Sequence, residues 1–271
     1  MAIEFDPGYV TAKFAALVKD YPGESVYPIN DFRIEWGPVF HRGRLDGSAR
    51  ILVIGQDPAQ HEVIVRRILV GTAGKRAQGF LRRLGFTRSY VFINTFLYSV
   101  YGQGGGNRHI GDAAITAYRN QWVEAILDSQ QIQAVVAFGG LAKTAWQAWL
   151  DSPKAHGRPP PTFVPLIHPT WPESSSASPA AHEAAIKTML QNWNNGLDTL
   201  GEVPGRDVNE PVAHYGKTFK SGDLPDIPEF DVPAGMPAWM RSENAWATRT
   251  GRTALEKRRT IAVRVPDGVV N

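Results

Sequence analysis

The chain contains no cysteine in 271 residues. That absence removes disulfides, thiolate zinc sites, iron–sulfur clusters and cysteine nucleophiles together. No stretch approaches the roughly 18 consecutive apolar residues of a membrane span. Met1-Ala2-Ile3-Glu4-Phe5-Asp6 also lacks the charged start and apolar run of a secretion signal. A soluble, cytoplasmic, monomeric protein without membrane contact is expected. The seven histidines show no paired ligand spacing, so no metal is expected. Gly-x-Gly-x-x-Gly is missing after the first strand-like run, which argues against a dinucleotide cofactor. Gly102-Gln103-Gly104-Gly105-Gly106 lacks the Gly-Lys-Ser/Thr ending of a phosphate loop and reads as a flexible loop. The expected cofactor list is empty.

What is present is an apolar fraction of 43%, enough to bury a full core in one domain with an extension. Four short runs, Ile51–Ile54, Tyr90–Ile93, Ala134–Phe138 and Thr162–Ile167, read as buried strands. Helical patterns lie over about 73–84, about 112–128 from the N-cap candidate Asp112, about 140–150 after Gly139-Gly140, and about 179–195. The last has Pro179 early and Gly196 just beyond its end. Strands alternating with helices predict a parallel sheet covered on both faces, with ligands at the strands' carboxyl ends. Residues 197–271 form a Pro/Gly-rich extension with little helical period before Thr253, acidic over 196–232 and basic over 233–271. It is expected to pack on the 1–196 domain, with Trp239 and Trp246 as anchors.

The formal charge of +3 permits a polyanionic partner without requiring one. Its distribution is uneven: Arg66, Arg67, Lys75, Arg76, Arg82, Arg83 and Arg88 face the single acid Glu62 within residues 61–90. Such a run fits a solvated helix face as well as a phosphate-binding one. Gly55-Gln56-Asp57-Pro58 follows the first strand, and His168-Pro169-Thr170-Trp171 follows the fourth. Alone, an Asp-Pro after a strand serves as a turn or cap, and a lone His is a structural hydrogen bonder. Together they deliver a carboxylate and an imidazole to one sheet edge. Asn94 ends the second strand at that edge, as a turn former or a recognition amide.

These residues resemble the uracil-DNA glycosylase superfamily. Gly55 to Pro58 matches the Gly-Gln-Asp-Pro of its best-known family, and His168-Pro169-Thr170 is similar to its His-Pro-Ser. Val70-Gly71-Thr72-Ala73-Gly74 looks like the Val-Gly-x-Ala-Gly block of its iron–sulfur branch, as does Phe92-Ile93-Asn94. The resemblance covers about Ile51 to Asn195. It implies a three-layer α/β/α sandwich on a central four-stranded parallel sheet. The implied activity is hydrolysis of the N-glycosidic bond of uracil flipped out of DNA, leaving abasic DNA. It assigns catalysis to Asp57 and His168, uracil binding to Gln56, Leu69 and Asn94, and DNA binding to Thr170, Trp171, Ser174 and Ser175. Arg66, Arg67, Lys75 and Arg76 are expected to hold phosphates as well.

The departures are specific. With no cysteine the cluster of the iron–sulfur branch cannot form, so packing must replace it. Ala59 stands where the first family has the Tyr that blocks the thymine methyl, and Leu69 stands where an aromatic platform for the base is expected. Arg108-His109-Ile110-Gly111 stands where the branch that traps its product has Arg-Ile-His. Two other readings stay open on the residues alone: a binding module for uracil or abasic sites that does not turn over, and a small-molecule hydrolase on a similar sheet.

Overall fold

The computed structural model describes residues 3–102 and 104–269, so Gln103 of the glycine-rich segment lies outside the described residues. In chain order the elements begin with α1 (Ala12–Lys19), β1 (Arg42–Gly43), β2 (Ile51–Gly55), α2 (Gln60–Val65), α3 (Gly71–Arg83) and β3 (Tyr90–Asn94). Next come α4 (Gly105–His109), α5 (Ala113–Ser129), β4 (Ala134–Phe138), α6 (Gly140–Leu150), β5 (Thr162–Leu166), α7 (Trp171–Ser175) and α8 (Pro179–Leu200). The extension adds α9 (Trp239–Ser242), β6 (Ala247–Arg249), α10 (Ala254–Arg259) and β7 (Ile261–Val263).

The main sheet has the order β1-β3-β2-β4-β5. Its four longer strands are parallel, as the alternation predicts, and β1 joins β3 antiparallel at the edge. The sheet is therefore five-stranded and mixed rather than four-stranded. A two-residue strand carries no hydrophobic period, which is why Arg42-Gly43 does not read as one. Gly43 has a φ of +91°, and a Cβ there would collide with the Tyr90 carbonyl oxygen, so only glycine closes this edge. Pro165 within β5 is tolerated because β5 is the opposite edge.

The strand period of two sorts the core into layers. Ile51 and Val53 face one side with Phe80 and Leu81 of α3 and with Met189, Trp193 and Leu197 of α8. Leu52 and Ile54 face the other with Phe14 of α1, Trp122 and Ile126 of α5, and Trp146 and Trp149 of α6. Helix α8 runs past Gly196 to Leu200. That glycine serves close packing rather than a stop: a Cβ there would lie 2.7 Å from Leu166 Cδ2. The glycine-rich segment is not a simple loop either. Gly105 and Gly106 are buried in the short helix α4, and a Cβ on Gly106 would lie 2.7 Å from Leu141 Cδ1.

The extension lies against the α2–α3 region. Ile227, Val232, Trp246 and Ala247 bury themselves with Val65 and Val70, with Trp239 packed beside them. The two tryptophan rings meet edge to face at 5.6 Å. Its firmest tie is ionic. Asp231, fully buried, accepts from Arg42 Nη1 at 3.2 Å and from the Tyr90 hydroxyl at 2.8 Å. Arg42 also donates to Gln78 Oε1 at 3.1 Å and lies 4.0 Å over the Phe92 ring. Burial raises the proton affinity of Asp231 and the Arg42 charge opposes that rise.

Removing one partner of a buried pair strands the other charge, at a cost of about 3–5 kcal/mol. Asp231→Ala is accordingly expected to lower the unfolding free energy by about that amount, read from the urea midpoint. A loss under about 1 kcal/mol would show that this contact does not anchor the extension.

Candidate active site

Polar groups gather where the parallel strands end. Strand β2 stops at Gly55, paired in register with Asn94 at the end of β3. A Cβ on Gly55 would collide with Asn94 Oδ1 and would stand 3.6 Å from Leu69 Cδ1, so the glycine lets both side chains lie across the strand end. Leu69 is buried and non-glycine at a φ of +50°, a conformation that costs an L residue about 1–2 kcal/mol. Strain of this kind, held by surrounding structure, collects at functional sites. Close packing at this turn also explains Gly74, where a Cβ would collide with the Leu69 carbonyl oxygen.

Asp57 is two residues beyond β2. Its Oδ2 accepts from the Val100 N–H at 2.9 Å. Burial pushes its carboxyl up to about 6, against the Val100 hydrogen bond and the charges of Arg33 and Arg249, which favour the ionised form. Ala59 caps the start of α2, where its N–H donates to Glu62 Oε2 at 2.9 Å. Burial pushes Glu62 up to about 7, with the Asp57 charge adding to the rise.

His168 follows β5 on the far side of β4. The preceding residue is held at both ends by α8: Asn192 Oδ1 accepts from the Ile167 N–H at 2.8 Å, and Trp193 Nε1 donates to the Ile167 carbonyl at 2.9 Å. Arg76 Nη1 donates to the Pro169 carbonyl at 2.5 Å, and the Trp171 N–H to the His168 carbonyl at 2.9 Å. The ring is fixed as well, because the Thr170 N–H donates to His168 Nδ1 at 3.3 Å. Nδ1 is thus an acceptor, and in the neutral ring Nε2 carries the proton. Burial pushes this histidine down to about 4, so it is neutral at physiological pH.

Gly139, at the end of β4, joins the two halves. At a φ of +92°, a Cβ there would stand 3.2 Å from Gln56 Nε2 and 3.3 Å from His168 Cβ. A groove of about 580 Å³ opens at this point, lined by Gln56, Gly139, Lys143, His168, Trp171 and Ser174 among others. Asp57, Leu69 and Asn94 stand on the β3 side of Gln56. The Ser174 and Ser175 hydroxyls donate to the Trp171 carbonyl at 3.0 and 2.7 Å and sit at the exposed lip.

The basic segment divides. Arg66 is exposed, donating to the Trp36 and Pro38 carbonyls at 2.9 and 3.3 Å, and Arg67 is half-buried. Lys75 and Arg76 correct the reading of this segment as one phosphate-binding run. Both are buried: Lys75 donates to the Ser242 carbonyl at 2.5 Å, and Arg76 grips Glu173 through two bonds of 3.0 and 2.7 Å. Their charge is spent on the extension and on the His168 turn. Sequence reasoning also passes over the Val100 N–H, Arg33, Lys143, Asn192 and Arg249. None of these carries a local signal, whereas Gly139 does, as the glycine after a strand.

A sequence model of the uracil DNA glycosylase superfamily matches residues 42–190. The chain belongs to that superfamily. No curated protein matches it. The uracil DNA glycosylase match runs from β1 into α8, so it contains Gln56, Asp57, Leu69, Asn94 and His168 and leaves the extension outside. Superfamily membership makes DNA the class of substrate and base release the class of reaction.

The state of His168 can be read directly. In protein labelled at histidine, the His168 ring is expected to stay neutral, with Nδ1 unprotonated, as the pH falls to about 4. A midpoint near 6.5 in the nitrogen shifts would mean that the ring is solvated and free of Thr170.

Proposed function

We propose that the chain is a monofunctional uracil-DNA glycosylase that needs no cofactor, flips uracil from DNA and hydrolyses its N-glycosidic bond to leave an abasic site. The observation that carries this reading is the pairing, at one sheet edge, of a carboxylate pushed up to about 6 with an imidazole pushed down to about 4. At neutral pH the first is an anion and the second a neutral donor. Breaking the bond puts positive charge on the sugar and negative charge on the leaving base. Asp57 supplies the anion for the sugar and orients the attacking water as general base. His168 Nε2–H meets the charge growing on the uracil O2, with the Gln56 N–H beside it. Because the ring starts neutral, it donates without losing a proton to solvent first.

Recognition falls to the β3 side. Asn94 accepts from uracil N3–H and donates to O4, the edge that a flipped base exposes. Leu69 supplies an apolar floor. Trp171 and the Ser174–Ser175 lip, with Lys143, face the DNA backbone along the groove. The primary assay is incubation with matched uracil- and thymine-containing oligonucleotides in EDTA, then alkali. Scission at uracil alone supports the reading. Lesion-specific binding without free uracil would replace it with a binding protein.

Asp57→Asn and His168→Ala are expected to lower the single-turnover rate while leaving DNA affinity nearly intact. The His168 loss should be about 100- to 1,000-fold, as for removing one oxyanion donor. Since the folded Asp57 carboxyl is raised, the active anion is lost as pH falls through about 6, so the wild-type rate should climb through that value and then level off. A limb that persists in Asp57→Asn would assign it to another group.

Cytosine presents an acceptor at N3 and a donor at N4, the reverse of uracil. Asn94→Asp is therefore expected to lose much of its uracil activity and gain measurable cytosine release, most at low pH if the protonated carboxyl is the active form. Single-turnover base release from the two oligonucleotides decides it. An unchanged rate and preference would remove Asn94 from the base.

A further inference from the structure

The extension brings cations to the Asp57 side of the site. Arg33 is 4% exposed, with its guanidinium 4.8 Å from the Trp36 ring and 5.1 Å from the Tyr101 ring. It donates to Ser99 Oγ at 3.1 Å and to the carbonyl of Val100, the residue whose N–H holds Asp57. Its buried Nε has no partner among the described residues. Arg258 of α10 lies 4.7 Å from the same Tyr101 ring and is tied to Glu35 Oε1 at 2.7 Å and the Phe32 carbonyl at 2.9 Å.

Arg249 ends β6. That strand is pinned beside the Asp57 turn by the Ala247 N–H, which donates to His61 Nε2 at 3.3 Å on α2. The hairpin is closed by β7, where Arg249 pairs with Ile261. Arg249 is exposed and, among the described residues, forms no ion pair with a carboxylate, yet its charge is felt at both Asp57 and Arg33. Among the described residues, only Arg258 of the three has its own carboxylate. Two cations held near each other with no counter-ion beyond Asp57 repel, and an anion between them relieves that repulsion.

We propose that Arg249 of the extension, with Arg33 and Arg258 behind it, binds a DNA backbone phosphate next to the nucleotide whose sugar faces Asp57, so that the extension is part of the substrate site. This rests on the glycosylase reading for the position of that nucleotide. A guanidinium suits the role because its planar fork meets phosphate oxygens in pairs. None of the three arginines lines the groove at His168, so the cluster would add a phosphate contact separate from that groove.

The test measures binding of an oligonucleotide with a tetrahydrofuran abasic analogue, which cannot be cleaved at a glycosidic bond, by fluorescence anisotropy across a salt series. Arg249→Gln is expected to weaken binding about 10-fold and to lower the log-log salt slope by about 0.7 to 0.9. Arg249→Lys should restore the slope and part of the affinity. Lys154→Gln, which removes an exposed charge near the start of β5 at the opposite end of the sheet, should leave the slope as in the wild type. An oligonucleotide with a neutral methylphosphonate beside the analogue should bind the wild type more weakly and Arg249→Gln no more weakly than its own control.

Wild-type affinity and slope in Arg249→Gln would overturn the proposal, and so would a methylphosphonate penalty equal in both proteins. The two readings fail separately. A wild type that releases uracil alongside an unaffected Arg249→Gln removes the phosphate site and keeps the glycosylase. A wild type that releases none, while Arg249→Gln still loses affinity and slope, does the reverse.

Discussion

Everything chemical in this protein depends on the common direction of β2, β3, β4 and β5. Parallel strands in one register end at one edge, so the residues just after them converge whatever their distance in sequence. Asp57, Asn94 and Gly139 reach that edge from three strands, and His168 reaches it from the fourth. The register also sets where a side chain is forbidden. Gly55 and Gly139 lie under Asn94 and between Gln56 and His168, and a methyl at either position would push apart the groups that the edge assembles. The apolar character of the strands is the condition for this convergence, because a sheet covered on both faces must be hydrophobic on both.

One physical cause, burial, moves the two principal groups in opposite directions. Withdrawing water disfavours charge, which raises a carboxyl and lowers an imidazole. For His168 nothing offsets this strongly, and the ring is left neutral. For Asp57 the Val100 N–H and two arginines keep the rise to about 6, below neutrality, so the carboxylate survives. Glu62, five residues on, meets the same burial with Asp57 as a like-charged neighbour and rises to about 7. Its bond to the Ala59 N–H serves the start of α2, while Asp57 is held by the Val100 N–H.

The local grammar of the sequence was sufficient for the sheet's four long strands, for the longer helices α3, α5, α6 and α8, and for the motif ends at Asp57 and His168, but not for the short α2 and α4. Period, turn residues and strand ends are short-range signals. Beyond the two-residue β1 and the short α4, which are too brief to carry a period, the misreadings are long-range. Lys75 and Arg76 look like surface cations until Ser242 and Glu173 are brought against them, and Arg42 looks like a loop residue until Asp231, 189 positions away, makes it an edge-strand anchor. Gly196 resembles a helix stop only while Leu166 is out of view. A positive residue's role is decided by whether a partner arrives to desolvate it, and residue spacing holds no record of that arrival.

The extension is where these long-range pairings accumulate, and in a chain without cysteine it adds packing and ion pairs around the elements that follow Asp57 and Leu69. It has no strong helical period of its own, so it cannot form an independent core. It gains order by placing Ile227, Val232 and Trp246 over Val65 and Val70, and by setting Asp231, Asp223 and Arg258 against Arg42, Arg83 and Glu35. Those contacts fall on α2, α3, β1 and the turn at Ile34–Trp36, and α2 and α3 are the helices that follow Asp57 and Leu69. The Ala247 N–H bond to His61 joins β6 to α2 four residues after Asp57, so the extension reaches the helix that follows the Asp57 turn.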